Sequence, residues 1–496
     1  MSINKVFKQS LTYFWGEALI MASGFISFPI LTRIFTKHQY GLLSLLGVTV
    51  AILCSLATFG ANRSMVRFYH KYKMIARLNH FLNTIYISTI CIGTLSVLLV
   101  MAISYLLNSA GIISRELLFL LPLALCYGIF QNLFLTLNTI NRMEERISVY
   151  NLWGIIGKYS TMIAAISFVL IYRSLFVFYS AQIVAMILLI SLLAFWVTKN
   201  TGNFLKFRPS KNIFKESVRY GLPLSISTIA YAIYDIGDRY VIAYFLDTTH
   251  VASYSVAYTI CTYFNVLITT PLSLATTPLS FKLWAQGEKE ETRKLLSIAV
   301  KFFYLLAIPA ILLSFLVPKE LITVLASSKY IESAEIMPII MCGVMIGFGF
   351  PFAAGLHLKK KTTSILTITL SSAVLNIILN LLLIPIYNLK GAAYATIISH
   401  VFLIGSMYMT SRKFLKFRIP YGDIIKYFLL SIVDFICLFY CSKLFLSSNN
   451  IVSLLFKSIA FFAVYGLLLF IFDSQVRNFT ISSASKIRGG IGHKNV

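Results

Sequence analysis

The sequence predicts an all-α polytopic membrane protein of about fourteen transmembrane helices. Two six-helix lobes, spans 1–6 and 7–12, surround a central cavity, and two C-terminal helices are added. Three observations lead there. Of 496 residues, 58% are hydrophobic and 12% charged, whereas a soluble domain carries about 25% charged residues; mean hydropathy is +0.82. Apolar stretches of about 20 residues, the length a helix needs to cross the hydrocarbon core, recur along the chain. Lys and Arg concentrate in alternate connections between them. This composition leaves too little polar surface for a soluble enzyme, a disordered chain or a disulfide scaffold.

The apolar stretches lie near 11–32, 40–62, 81–106, 117–139, 149–172, 174–197, 219–245, 251–275, 297–317, 334–357, 365–386, 391–411, 424–444 and 451–473. The first exceeds the roughly 7–15 residues of a signal-peptide core, contains Glu17 and lacks a small-x-small cleavage site, so it is read as a retained helix. With the N-terminus inside, 31 of the 43 Lys and Arg fall in inner segments and 8 in outer ones. Adding or removing one span would invert that pattern, so the count and the orientation support each other, with both termini cytoplasmic. Trp15, Trp153, Trp196 and Trp284 sit at inner span ends or in an inner loop, as interfacial anchors do.

The net charge of +26 is therefore mostly topogenic. It adds attraction to anionic lipids, about 1 kcal/mol per residue near the surface, and does not point to nucleic acid. The seven cysteines all lie in apolar stretches without CxxC spacing, which disfavours a metal site and a disulfide framework. The longest outer loop, about 318–333, is too short to fold alone, so the function resides within the membrane.

A shift of about 211 residues lays the start of span seven on the start of span one, and Ala252–Ser255 on Gly41–Ser44. It pairs spans 1–6 with spans 7–12. The expected domains are 1–210, 211–411, the two extra helices in 412–473, and a basic cytoplasmic tail at 474–496. Because six is even, the halves share one orientation, related by an axis along the membrane normal, and two such bundles can rock to open a cavity to either side.

Span seven is the least hydrocarbon-like, with Tyr231, Tyr234, Asp235, Asp238, Arg239 and Tyr240 within ten residues. Charges at a span centre cost about 2.5–3.5 kcal/mol each on insertion scales. Asp235 and Arg239 are i,i+4 neighbours able to neutralise each other, which leaves Asp238 to find a partner or water. Two readings stay open: an internal ion pair locking helices, or a water-filled cavity where these groups meet substrate or a coupling ion. Elsewhere, Glu17 and Lys158 are the intramembrane ionisable groups of the first half. Arg63 and Arg67 lie i,i+4 at the inner end of span two. Asp434 and Lys457, in the extra helices, are able to pair with each other. His400 is read as hydrogen-bonded rather than as a proton relay.

The segment Gly355-Leu-His-Leu-Lys-Lys-Lys-Thr-Thr363, then Asn376 and Asn380, Leu383-Ile-Pro385 and Gly391-Ala-Ala-Tyr-Ala-Thr396, resembles bacterial polysaccharide flippases. These are the O-antigen and capsule exporters of the multidrug/oligosaccharidyl-lipid/polysaccharide superfamily. Arg33-Ile-Phe35, Tyr40-Gly41, Arg67-Phe-Tyr69, Gly221-Leu-Pro223, Asp238-Arg239-Tyr240 and Tyr254-Ser-Val-Ala-Tyr258 extend the resemblance over spans 1–12.

The resemblance implies a V-shaped fold of two lobes that exports undecaprenyl-pyrophosphate-linked repeat units from the inner to the outer leaflet of the bacterial plasma membrane. It also implies membrane lipids, the polysaccharide polymerase and the chain-length machinery as partners. For an anionic pyrophosphate, Arg239 is the first candidate because its planar fork of donors matches phosphate; Lys158, Arg63 and Arg67 follow. Tyr231, Tyr234 and Tyr240 suit sugars. Glu17, Asp235 and Asp238 suit proton or sodium coupling, or hold the arginine. Lys158 and Glu17 rest on the charge argument alone. No cofactor is expected. A multidrug or cation antiporter of the same superfamily is the alternative; a peptidoglycan-precursor flippase has a similar architecture, but its usual signatures are not seen. A membrane polysaccharide polymerase is disfavoured: the outer loops are short, and no catalytic set or nucleotide-binding motif is present.

Overall fold

In the computed structural model, which describes residues 3–58, 60–201, 209–347, 349–442, 450–474 and 476–478, every regular element is helical. The tail expected at 474–496 lies mostly outside these residues. The helices are α1 (Ile3–Ile34), α2 (Lys37–Thr58), α3 (Ala61–Met74), α4 (Leu78–Ser109), α5 (Arg115–Met143), α6 (Ile147–Tyr172), α7 (Leu175–Thr201), α8 (Lys211–Ile236) and α9 (Asp238–Phe245). They continue as α10 (Thr248–Ala285), α11 (Lys289–Leu316), α12 (Pro318–Leu325), α13 (Ser333–Val344), α14 (Gly349–Leu358), α15 (Thr362–Tyr387), α16 (Leu389–Ser411), α17 (Tyr421–Ser442) and α18 (Asn450–Phe472).

Among the described residues, 13 stretches are long and apolar enough to cross a membrane, and each coincides with one expected span. The remaining span, 219–245, is divided at Gly237 into α8 and α9. The Gly237 amide donates to the Ile233 carbonyl at 2.9 Å, and a Cβ on Gly237 would stand 2.4 Å from that oxygen. The interruption thus depends on a residue without a side chain.

The span at 334–357 is also interrupted, between α13 and α14. In hydrocarbon, backbone carbonyls freed by such a break need internal donors. The Asn265 amide donates to the Val344 carbonyl at 2.8 Å and the Tyr304 hydroxyl to the Ile346 carbonyl at 2.5 Å. The connection at 318–333, expected on the outer side, holds α12, begun by Pro318 at its first helical position, where a missing amide hydrogen costs nothing.

Contacts divide the chain into two units, Met1–Val256 with Thr362–Leu403, and Ala257–Lys361 with Ile404–Val496. In the first, α5 packs against α2, α4, α6 and α7, α1 lies on α6, and α8 lies against α2 and α15. Leu98, Phe168, Leu188 and Phe195 are exposed, as side chains facing lipid are. Helices apolar all round are expected where the solvent itself is apolar.

In the second unit, α11 packs against α13 and α17, and α17 against α18. Leu296, Val300, Phe352, Leu358, Leu415 and Phe417 form one apolar cluster; Ile308, Tyr427, Tyr465 and Leu469 form another. Ion pairs fasten the two extra helices, though not the pair expected from sequence. Lys457 pairs with Glu320 of α12 at 2.6 Å, because α12 brings a carboxylate to it. Asp434 is left without that partner. At the start of α17 Lys301 meets Asp423 at 3.1 Å, and Lys426 meets Asp423 at 3.3 Å and Asp473. Burial works to raise the Asp473 carboxyl, but hydrogen bonds from Lys426 and the Val476 amide hold it at about 2.

Gly237→Ala is expected to destabilise the protein by roughly 1–3 kcal/mol, the usual range for a forced steric overlap. A lowered midpoint of thermal unfolding in detergent checks this, and an unchanged midpoint would show that the Ile233 carbonyl moves aside freely.

Candidate functional site

The break at Gly237 starts α9 with Asp238 and Arg239 turned inward, 3% and 7% exposed. Arg239 Nη1 lies 3.4 Å from Asp238 Oδ1, and its Nε donates to the Ser255 hydroxyl at 3.1 Å. The Tyr254 hydroxyl reaches the same Asp238 carboxylate and lies 3.0 Å from Thr396 Oγ1. Beyond it, Ser399 donates to the Thr396 carbonyl at 3.0 Å and accepts from Asn376 Nδ2 at 3.0 Å. Asn380 closes on the Asn376 carbonyl at 2.8 Å and its Oδ1 at 3.0 Å. One buried polar network therefore joins α9, α10, α16 and α15. Its members are residues that the sequence scatters over separate motifs. The ion pair and its hydrogen bonds satisfy charges that would otherwise be uncompensated in the interior.

The aromatic residues of span seven divide by exposure. Tyr231 is 55% exposed and Tyr234 is 4% exposed, with their ring centroids 6.2 Å apart. Tyr234 also lies 5.0 Å from the His400 ring, and His400 Nδ1 is bound to the Thr396 carbonyl at 2.9 Å. The Tyr240 hydroxyl is engaged by Thr49 and faces the Leu45 carbonyl at 3.4 Å. Asp235 is half-buried on the last turn of α8.

The second polar feature is a partly open pocket of about 200 Å³ in the first unit, lined by α1, α5, α6 and α7, on which Lys158 is exposed. Its polar lining comprises Ser23, Ser27, Tyr127, Lys158, Thr161 and Gln182. Lys158 stands in the middle of α6, eleven residues from its start, about 16 Å along the axis at 1.5 Å per residue. The cavity lining contains no carboxylate. Among the described residues, neither the Lys158 ammonium nor the Gln182 amide has a hydrogen-bond or ion-pair partner. Glu17, exposed on α1, is not among the lining residues.

The third feature is α3, an amphipathic helix lying at the inner end by the expected topology. Its side chains clasp α5 and α8. Lys71 and the Tyr72 hydroxyl bind Glu216 at 2.5 and 2.6 Å; Lys73 binds Glu144 at 2.7 Å, joined there by Tyr69. Arg63 donates to the Thr228 hydroxyl at 3.0 Å, and the Arg67 guanidinium stands 4.8 Å from the Tyr220 ring centroid. Both arginines remain exposed. Gly60, with φ of 71°, brings the backbones so close that a Cβ there would lie 2.3 Å from Gly221 Cα. Hydrogen bonds from Lys71 and Tyr72 outweigh burial and hold the Glu216 carboxyl below its usual value. Burial would raise Glu144, but Lys73 and Tyr69 hold it low as well.

No group of three or more His, Cys, Asp or Glu placed to hold a metal occurs among the described residues. Of the residues singled out from sequence, the structure brings Asp238, Arg239 and Tyr254 together and keeps Lys158 apart from them in its own cavity. Gln182 was missed, since one uncharged amide in an apolar span carries little sequence signal.

A family model described as polysaccharide biosynthesis protein matches residues 6–284, and one described as MatE matches residues 223–382. The uncharacterized membrane protein MJ1068 of Methanocaldococcus jannaschii is 28% identical over 292 residues, 55% of each chain. The chain thus spans about half the length of the curated relative it matches. Among solved structures, the lipid II flippase MurJ in an inward closed conformation is similar with a TM-score of 0.72 and 16% identity, covering 94% of this chain and 98% of that one. An inward-facing multidrug resistance MATE family transporter gives 0.65 and 15% identity over 79% and 94%. A superfamily transporter from Pyrococcus furiosus, described as having a binding pocket of reversed polarity, gives 0.59 and 13% identity over 82% and 94%. At these identities the likeness is one of fold.

Two outcomes are expected. Arg239→Ala leaves Asp238 buried without its cation, a loss of about 3–5 kcal/mol, and should deplete folded protein from the membrane; normal levels by immunoblot would contradict it. The clasp of α3 depends on pH. Glu144 and Glu216 have depressed folded-state values, so their stabilisation is complete above the ordinary Glu value of about 4.3 and is lost as pH falls through the lower folded values. Hydrogen exchange over residues 61–74 should rise on acidification, and Glu216→Gln should raise it already at neutral pH.

Proposed function

The chain belongs to the polysaccharide biosynthesis protein family, within the multidrug/oligosaccharidyl-lipid/polysaccharide superfamily, and from that premise we propose that it is a flippase for an anionic lipid-linked oligosaccharide. The substrate is an undecaprenyl-pyrophosphate-linked repeat unit of the O-antigen or capsule type. It moves from the inner to the outer leaflet of the plasma membrane by alternating access, without a catalysed reaction, and both termini of the chain are cytoplasmic. The polymerase and chain-length machinery act on the delivered unit.

The observation that carries this reading is the Lys158 cavity. An ammonium in mid-membrane with no counter-charge calls for an anion, and the neighbouring Gln182 amide adds a donor. The volume of about 200 Å³ accommodates one phosphate group with a few waters, each of about 30 Å³. A cationic drug would find no carboxylate there, which weighs against the multidrug alternative. A solved structure of similar fold is that of a lipid II flippase.

Within this reading the sequence candidates take different parts. Lys158 meets the phosphate. Arg63 and Arg67, exposed at the inner end, gather the anionic headgroup from the inner leaflet, and Tyr231 presents its ring to sugar. Arg239, engaged with Asp238 and Ser255, keeps the α9–α10–α16 network in shape, and Tyr234 and Tyr240 pack beside it. Asp235 and Glu17 remain candidates for ion coupling.

Deletion of the gene should make single repeat units accumulate on lipid in the inner leaflet while surface polysaccharide disappears. Unchanged glycolipid together with raised sensitivity to cationic drugs would favour the antiporter. Lys158→Ala should lower export at least tenfold at normal protein level, and Lys158→Arg should restore a large part of it because the charge is kept. Full export by Lys158→Ala would remove the cavity from the pathway.

A further inference from the structure

The second unit contains a fully buried acidic group in a span that none of the preceding roles uses. Asp434, in the middle of α17, is 0% exposed, and neither of its carboxylate oxygens has a hydrogen-bond partner among the described residues. Its surroundings offer no counter-charge. Along α17, Asp423 and Lys426 lie two to three turns nearer the inner end and are joined to Lys301 and Asp473. The Tyr427 hydroxyl donates to Asp473 at 3.3 Å. Cys437, one turn beyond Asp434, is exposed.

From α11, Lys301 is held by Asp423 and the Tyr304 hydroxyl by the Ile346 carbonyl; residues 305–316 contain no ionisable side chain. From α18, Lys457 is bound to Glu320 at 2.6 Å. Tyr465, 3% exposed, lies level with Asp434 by the antiparallel register that sets Asp473 beside Lys426, and its hydroxyl donates to the Leu305 carbonyl at 3.0 Å.

A bare carboxylate in such a place must be neutralised. Buried acids in membrane spans are expensive and are retained where they carry protons or ions. A hard metal cation would need about six or more oxygen ligands, and among the described residues no group of three or more His, Cys, Asp or Glu is placed to supply them. A proton needs one lone pair and no cavity.

We propose that Asp434 is a proton-binding site whose occupancy is linked to the packing of α17 and α18 on α11. Uptake forms one O–H bond on the carboxyl group with a proton taken from water, and release returns that proton to water. No electrons move. Release leaves a carboxylate that has to be hydrated, so the deprotonated state belongs to a conformation in which water reaches between α17 and α11. In a transporter this links the proton gradient to the transport cycle; only this last step rests on the flippase reading.

Two measurements on the full chain in lipid test the proposal. Infrared difference spectra over a pH range should show a protonated-carboxyl C=O band that titrates and is missing in Asp434→Asn. A spectrum identical in the two proteins overturns the proposal, whatever the chain transports. Should the Asn variant fail to fold, Asp434→Glu keeps the carboxyl and should shift the band. In proteoliposomes, translocation of a synthetic undecaprenyl-pyrophosphate disaccharide should fall at least fivefold when the pH gradient is collapsed. Asp434→Asn should translocate at a rate indifferent to the gradient. Gradient dependence kept in Asp434→Asn, or absent in the unmodified protein, overturns the coupling. No translocation by the unmodified protein defeats the flippase reading and leaves the infrared result standing.

Discussion

The contact between Arg239 and Asp238 is the constraint on which much of the first unit depends. In hydrocarbon neither charge has water to fall back on, so each has to be satisfied by protein. Meeting that demand draws Ser255 and Tyr254 of α10 to the start of α9. It continues through Thr396 to Ser399, Asn376 and Asn380. Apolar packing alone would allow α15, α16 and α9 to slide or rotate against one another, since lipid and leucine are equally apolar. A chain of directional hydrogen bonds removes that freedom. The short motifs that look unrelated along the sequence are therefore one structural element in space.

That arrangement also explains where sequence reasoning succeeded and where it stopped. The spans were legible because length and apolarity are properties of a stretch, independent of what packs against it, and 13 of them recur in the structure. The interruption at Gly237 was not legible. A glycine inside an apolar run is common in membrane helices, and only the approach to the Ile233 carbonyl reveals why it is needed. The i,i+4 argument for Asp235 and Arg239 left Asp238 in search of a partner, and in the structure Asp238 Oδ1 stands 3.4 Å from the guanidinium. Lys457 was read as able to pair with Asp434, the other ionisable group singled out in the extra helices. The actual partner, Glu320, sits on α12, in a segment read as loop. In each case the missing information was three-dimensional: a close approach to a carbonyl, a neighbouring carboxylate, or a short helix that delivers a side chain.

The α3 clasp illustrates a different division of labour. The same basic residues that set topology by their number also make specific contacts. Lys71 and Lys73 each hold a glutamate on another helix, and Arg63 and Arg67 rest on Thr228 and Tyr220. Counting charges gives orientation and says nothing about such pairings, because any Lys or Arg at that depth satisfies the positive-inside rule. Exposed ion pairs of this kind contribute little individually, roughly 0–1 kcal/mol. Several of them across α3, α5 and α8, reinforced by the Gly60–Gly221 approach, act together. An arrangement made of individually weak contacts is stable yet separable.

The ionisable groups of the membrane interior thus separate into two kinds by a single criterion, whether the protein itself satisfies them. Asp238 with Arg239, and Glu320 with Lys457, are answered by side chains on neighbouring helices, and their burial is explained by architecture. Lys158 and Asp434 are answered by nothing among the described residues. An uncompensated group is costly in a low-dielectric interior whether it carries positive or negative charge. Its persistence is easier to understand if something outside the chain completes it during the working cycle. The two cases differ in the space around them. Lys158 opens on a cavity of about 200 Å³ with an unengaged amide beside it, room for a group of several atoms. Asp434 is sealed between α11, α17 and α18, which leaves room for a proton. The same physical premise, read with size and sign, underlies both proposals: an oxyanion at the first and a proton at the second.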